Sequence, residues 1–269
     1  MPSRANDLGL VCPNCLGELT PDARELRCET CGRAVAERSD GITDFIREPI
    51  PLGSGFGPKL MHSRILAQVY QRYWRPFFIA VAGGGHHDLA EELDFIDSAL
   101  RPLPGDPPGT VVDLSCGPGH AALHLHRRDL FDQVVALDWS QAMLNQLRAN
   151  LRDQGIGDLP LLRADVARLP FASGSIAGIH AGAALHLWPD PAAAAAEIGR
   201  VLRPGGGFIA STFAHQESPI SRSLEALLSL SNTRVFYEEE LLGLFRAHGI
   251  DGLETYRRGS LILFWGRRR

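Results

Sequence analysis

Cys12, Cys15, Cys28 and Cys31 stand as two C-x2-C pairs with twelve residues between them, in the stretch CPNCLGELTPDARELRCETCG. Each pair puts two thiolates on one tight turn, and two such turns facing each other make a closed tetrahedral site for zinc. Four protein ligands leave no position open for a substrate. The predicted role is therefore structural: the metal supplies folding energy to a segment too short to bury its own core. Gly17 and Gly32 follow the pairs, where turns are required. The alternative, a redox pair, fits less well, because the spacing occurs twice and no thioredoxin-like unit surrounds it.

A second chemistry is written in TVVDLSCGPGH, residues 110–120. An apolar run ends in Asp113, and Gly117 and Gly119 open the following helix. Glycines there let the backbone turn tightly and approach a ligand, and the helix start presents amide N–H groups to an anionic one. Alone, the pattern also fits an ordinary strand-to-helix turn. Two further acids sharpen it: VVALD ends in Asp138 and RADVARLPF carries Asp165. An acid at the tip of the second strand of a nucleotide-type fold accepts hydrogen bonds from ribose hydroxyls. Cys116, inside the loop, reads as small, buried and inert.

These residues need elements to position them. From residue 110 onward continuous apolar strands alternate with helical stretches, the signature of a parallel sheet covered on both faces. The strands are expected at TVVDLSC, QVVALDWS, LPLLRAD, IAGIHAGAAL and GFIASTF, with a closing hairpin from LETYRRG and LILFWGRR. Residues 1–48 read as the cysteine module, 49–105 as a Pro/Gly-rich linker and a helical lid, and 106–269 as the core. Within 59–82, Tyr70, Tyr73, Trp74 and Arg75 are spaced to share a helix face. The 269 residues are 45% hydrophobic and carry a net charge of −4. That balance gives no global attraction to nucleic acid or an anionic membrane. No apolar run reaches membrane-span length, and the N-terminus has no signal-peptide pattern. Paired cysteines of this kind point to a reducing compartment, with the cytoplasm as the expectation.

Taken together, residues 110–269 resemble the class I S-adenosylmethionine (SAM)-dependent methyltransferases. DLSCGPG resembles their glycine motif, ALDWS their ribose-binding strand end, RADVARLPF their adenine motif and VLRPGGGFI their last core motif. The resemblance implies a Rossmann-like α/β fold: a seven-stranded, mostly parallel sheet with an antiparallel hairpin at one edge. It implies that Asp113, Ser115 and the amides about Gly117 and Gly119 hold the methionine end. Asp138 would take the ribose hydroxyls, Trp139 and Met143 would flank the adenine, and Asp165 with Val166 would meet its amine. Ala181 and His180 would lie by the methionine arm, with Tyr73 over the cofactor from the lid. The stretch IHAGAALHLWPDP would face the donated methyl, bringing His186 and Trp188 to the acceptor. His186 is the candidate general base or orienting group.

A zinc ribbon ahead of such a core resembles the 23S ribosomal RNA guanine-N1 methyltransferases, whose ribbon helps recognise RNA. Here residues 1–50 hold six arginines against nine carboxylates, and Phe45 is their sole aromatic. RNA docking wants a basic surface and stacking rings, so nucleic acid is not the expected partner. A closer resemblance, over nearly the whole chain, is to plant plastid and bacterial methyltransferases related to the ubiquinone/menaquinone type. YQRYWRPFF and RADVARLPFASGSIAGIHAGAALHLWPDP carry it. It implies a small-molecule, lipid-like acceptor, and the apolar face of 214–236 agrees. The expected activity is methyl transfer from SAM to a small hydrophobic or aromatic metabolite. The alternatives are an RNA methyltransferase and a SAM-binding protein with altered chemistry. A homo-oligomer is left open.

Overall fold

The computed structural model describes residues 8–22, 25–37, 41–46, 89–157, 159–216 and 234–269. The sheet order within them is β1-β2-β3-β4-β7-β6-β5-β8-β9-β11-β10. The first four strands are Leu19–Asp22 (β1), Glu25–Cys28 (β2), Ala34–Glu37 (β3) and Ile42–Asp44 (β4), paired antiparallel in turn. The expected parallel unit follows: β5 (Thr110–Leu114), β6 (Gln133–Asp138), β7 (Leu161–Arg163), β8 (Ile176–Ala181) and β9 (Leu202–Phe213). Strands β10 (Ile250–Arg258) and β11 (Leu261–Arg268) form the antiparallel hairpin, with β11 against β9. The seven strands from β7 to β10 are those the sequence implies. The extension through β4 is not among them. β4 runs parallel to β7, Ile42 beside Leu161 and Asp44 beside Arg163, so the cysteine module continues the sheet.

Strand β8 is buried at all six positions and β5 at four of five, which requires cover on both faces. One face receives α1 (Leu89–Leu100), α2 (His120–Arg128) and α3 (Gln141–Asp153). Ile96, Leu125 and Leu144 pack there with Val111, Ala136 and Ile209. The other face receives α4 (Pro191–Val201) and α5 (Glu238–Ala247), where Ile198 and Phe245 meet Phe208, Ile179 and Phe264. Leu10, Leu19, Leu26 and Phe45 of the cysteine module join that same cluster, so module and core share apolar packing as well as strands. Caps set the helix starts: Ser140 Oγ accepts from Met143 N–H, and Asp190 accepts from Ala192 and Ala193 N–H with Pro191 at the first position.

The chain runs from β5 outward through β6 to β7, then returns to the far side of β5 as β8 and β9. The reversal at β5/β8 makes a crevice at the carboxyl ends of the strands, where open α/β sheets bind ligands. Of the linker and lid expected at 49–105, residues 49–88, with Tyr73, lie outside the described residues, as do 217–233 of the pocket stretch expected at 214–236.

Candidate active site

The loop leaving β5 carries three left-handed residues: Ser115 (φ 57), Gly117 (φ 54) and Gly119 (φ 90). A Cβ on Gly119 would stand 2.1 Å from Leu147 Cδ1, so this glycine lets α2 close on α3. A Cβ on Gly117 would meet nothing within 4 Å among the described residues. Ser115 adopts its conformation without being glycine, at a cost of about 1–2 kcal/mol. Its Oγ accepts from Trp188 Nε1–H at 3.0 Å, so the loop after β8 holds it in place. That second loop is strained too: Ala183 has φ 50, and its N–H donates to Ser211 Oγ at 2.7 Å. Strained non-glycine residues of this kind, here on the loops after two adjacent strands, cluster at functional sites.

Asp113 lies beneath the loop, 1% exposed. Its Oδ2 accepts from Ala122 N–H at 2.9 Å, and its Oδ1 pairs with His180 Nδ1 at 2.7 Å. Its carboxylate therefore ties β5, β8 and the first turn of α2 together beneath the glycine loop. His180 is drawn into the same buried pair. Ala181, fully buried, ends β8 beside it. Cys116 is buried, and desolvation, followed by the charges of Asp138 and Asp113, pushes its thiol well above the usual range. It stays protonated and inert.

At the tip of β6, Asp138 Oδ2 accepts from Gly117 N–H at 2.8 Å and Oδ1 from Ser140 N–H at 2.6 Å. Burial raises its carboxyl to about 6 against those lowering bonds. Each oxygen retains a second lone pair for a ligand hydroxyl. Half-buried Trp139 follows, and Met143 is buried on the first turn of α3. Beyond β7, Asp165 Oδ1 accepts from Ala167 N–H at 2.9 Å, next to buried Val166. The tips of β5, β6, β7 and β8 thus bring Ser115, Gly117, Asp138, Trp139, Asp165 and Ala181 to one edge of the sheet.

On the acceptor side, His186 sits in a 3-10 turn, Leu185–Leu187. Its ring centroid lies 4.5 Å from that of Phe213 at 57°. Burial pulls its imidazole down to about 3, so it is neutral at physiological pH. Its Nδ1 is buried with no hydrogen-bond partner among the described residues. A neutral imidazole still offers one hydrogen-bond donor and one acceptor.

The four cysteine sulfurs lie within 4.8 Å of one another. Cys12–Cys31 and Cys15–Cys28 are 3.6 and 3.5 Å apart. Zinc–sulfur bonds of about 2.3 Å imply tetrahedral edges of about 3.8 Å, so the donor set fits the ion. Cys31 N–H points at Cys28 Sγ at 3.5 Å and leads the effects that lower the Cys28 thiol to about 7, which favours a thiolate ligand.

Sequence reasoning missed one connection. Arg163, the last residue of β7, donates from Nε to Trp139 C=O at 3.0 Å and from a terminal nitrogen to Asp44 Oδ2 at 3.0 Å. No local signal marks it, because Asp44 is 119 residues away.

Comparison with known proteins agrees with this geometry. Residues 111–206 match the family model described as "Methyltransferase domain". An uncharacterized chloroplastic methyltransferase of Arabidopsis thaliana is 35% identical over 93% of this chain and 73% of its own. A demethylmenaquinone methyltransferase of Lactococcus lactis is 32% identical over 41% of this chain and 44% of its own. The structure of geranyl diphosphate C-methyltransferase from Streptomyces coelicolor, with Mg2+, geranyl diphosphate and S-adenosyl-L-homocysteine, superposes at a TM-score of 0.56. It covers 67% of this chain and 78% of that one at 17% identity, a likeness of fold. The glycine loop at the β5/β8 reversal, the acids at the neighbouring strand tips and the full-length similarity together make this chain a member of the SAM-dependent methyltransferase family.

Proposed function

We propose that the chain transfers the methyl group of SAM to a small hydrophobic acceptor. The observation that carries this reading is His186, neutral, buried against Phe213, with a ring nitrogen that has no hydrogen-bond partner among the described residues. Such a surface suits an apolar ring or chain bearing one hydrogen-bonding group. The acidic balance of residues 1–50 speaks against RNA. The Lactococcus relative is a demethylmenaquinone methyltransferase, which points the same way.

Bound SAM supplies an electrophilic methyl on a sulfonium, and the thioether leaves without needing a proton or a metal. On this reading, amides of the 115–119 loop hold the methionine end, Asp138 takes the ribose hydroxyls, and Trp139, Met143, Asp165 and Val166 line the adenine. His186 fixes the acceptor through Nδ1, so that its nucleophilic atom meets the methyl in line. Positioning and exclusion of water then supply much of the rate. The four cysteines hold one zinc ion, which stabilises the ribbon of residues 1–48, and residues 106–269 form the catalytic core. The thiols suit a reducing compartment; the Arabidopsis relative is chloroplastic. No helix among the described residues is long and apolar enough to cross a membrane.

The test is transfer of labelled methyl from SAM into a panel of prenylated quinols, phenols and fatty acyl compounds, beside total ribosomal RNA. Label in a lipid-soluble product supports the reading. Label confined to RNA overturns it.

A further inference from the structure

Among the described residues, a partly buried side-chain pair joins the cysteine module to the cofactor edge beside the β4–β7 backbone ladder. β4 ends in Asp44, and because β4 runs parallel to β7 it delivers that carboxylate to the carboxyl edge of the sheet. Asp44 Oδ1 accepts from Ile46 N–H at 2.9 Å, which orients the carboxylate, and Oδ2 receives Arg163 at 3.0 Å. Both side chains are largely sheltered, at 12% and 21% exposure, so solvent screens this pair less than a surface pair. The guanidinium fork then spends its Nε on Trp139 C=O. Trp139 directly follows Asp138, and the next amide, Ser140 N–H, binds the Asp138 carboxylate at 2.6 Å. Phe45 N–H also donates to Arg163 C=O at 2.8 Å, so the segment leaving β4 grips Arg163 from both its main chain and its side chain.

We propose that Arg163, aligned by Asp44 of the ribbon's last strand, is a positioning residue for the adenosine half of the cofactor, and that through this pair the ribbon sets cofactor affinity. The inference rests on the reading above that the adenosine lies along Asp138, Trp139 and Asp165. Its physical content is simple. The peptide after Asp138 must hold one orientation for the ribose acceptor and the Trp139 ring to be in place together. Its carbonyl is held by a donor that is itself held from outside the core. A lysine would keep the charge beside Asp44 but could not span both acceptors with a fork.

The experiment is calorimetric binding of S-adenosylhomocysteine and of methylthioadenosine, which retains the adenosine end and lacks the amino-acid arm. The proteins are wild type, Arg163→Met, Arg163→Lys, Asp44→Asn, the double variant Asp44→Asn/Arg163→Met, and Asp138→Ala. Each is checked for folding by circular dichroism. Arg163→Met and Arg163→Lys should weaken both ligands by the same factor, roughly three- to tenfold, the scale of one ordinary hydrogen bond, because the lost bond acts on the ligand only through the Trp139 peptide. Asp44→Asn should weaken them less and add nothing in the Arg163→Met background. In turnover, the KM for SAM should rise while the acceptor KM stays put. Asp22→Ala, which removes an exposed ribbon ion pair with Arg27, should leave binding unchanged. Unaltered affinity in Arg163→Lys overturns the proposal, as does a loss for S-adenosylhomocysteine that methylthioadenosine does not share. If Arg163→Met does not fold, Arg163→Lys and Asp44→Asn decide. If Asp138→Ala binds normally, the adenosine reading fails and the inference with it; if Asp138→Ala weakens binding and the Arg163 variants do not, the inference alone fails.

Discussion

Two glycines, two residues apart in one loop, should respond to the same substitution in opposite ways. Gly119→Ala places a methyl 2.1 Å from Leu147 Cδ1 and 3.0 Å from its Cγ, on a backbone with φ +90. Leu147 is fully buried, so it cannot swing aside into solvent. The left-handed backbone costs about 1–2 kcal/mol and the overpacking about 1–3 kcal/mol, together roughly 2–5 kcal/mol. For a domain of this size that lowers Tm by about 5–15 °C. Gly117→Ala carries only the backbone cost, because nothing lies within 4 Å of the new methyl. Its Tm should fall by about 2–6 °C. On the proposed reading the cofactor lies beside Gly117, so the methyl should displace it at a cost of about 1–3 kcal/mol, or roughly five- to 150-fold in Kd. Thermal unfolding by circular dichroism and calorimetric titration with S-adenosylhomocysteine measure the two effects. If Gly117→Ala binds as tightly as wild type, or if it loses more Tm than Gly119→Ala, the division of labour between the two glycines is wrong.

Three more expectations follow from charge and metal. Burial holds His186 at about 3 against about 6.5 in the unfolded chain. The unfolded chain therefore binds the extra proton across that window, and stability should fall as pH drops through it. His186→Phe should recover about 2 kcal/mol of the loss between pH 7 and 5, read from urea midpoints; an unchanged pH slope would count against a buried neutral imidazole. Asp138 sits near 6, so S-adenosylhomocysteine affinity should decline as pH drops below about 6 and the ribose acceptor is neutralised. Asp138→Asn should bind weakly at every pH with that dependence gone; calorimetry between pH 5 and 8 checks it. One zinc per chain should co-purify by elemental analysis, Cys12→Ser should lose it along with several degrees of Tm, and Cys116→Ser should keep it. Metal retained in Cys12→Ser at full stoichiometry would refute the four-thiolate site.

What the sequence revealed and what it hid divide along chain distance. The glycine loop, Asp138 and Asp165 each sit within a few residues of the strand that carries them, so strand, tip and helix start are read together. The two cysteine pairs are legible for the same reason. The β4–β7 joint is not. Ile42–Asp44 is three residues long, too short for any periodicity, and its partner is set by packing 119 residues away. Arg163 therefore reads only as the first letter of RAD, and the ribbon as a separate module. The burial of Asp113 against His180 was hidden likewise, since each residue alone looks like a strand-end ligand. For His186 the residue and its loop were legible, but its protonation state comes from the ring of Phe213 and the surrounding burial, which no local pattern encodes.

The continuity of the sheet also orders events in time. The four cysteines span Cys12 to Cys31, so on the proposed zinc reading the metal knot can close as soon as that short stretch exists. β4 must then wait for β7, on the far side of helices α1 to α3. Until β7 is made and threaded, the knot presents a bare strand edge to the cell, and closing a loop of that length is slow compared with forming the knot. A chain whose thiols lack zinc during synthesis is short of the template on which that late pairing is laid. Metal supply while the chain is being made, rather than afterwards, should set the yield of soluble protein.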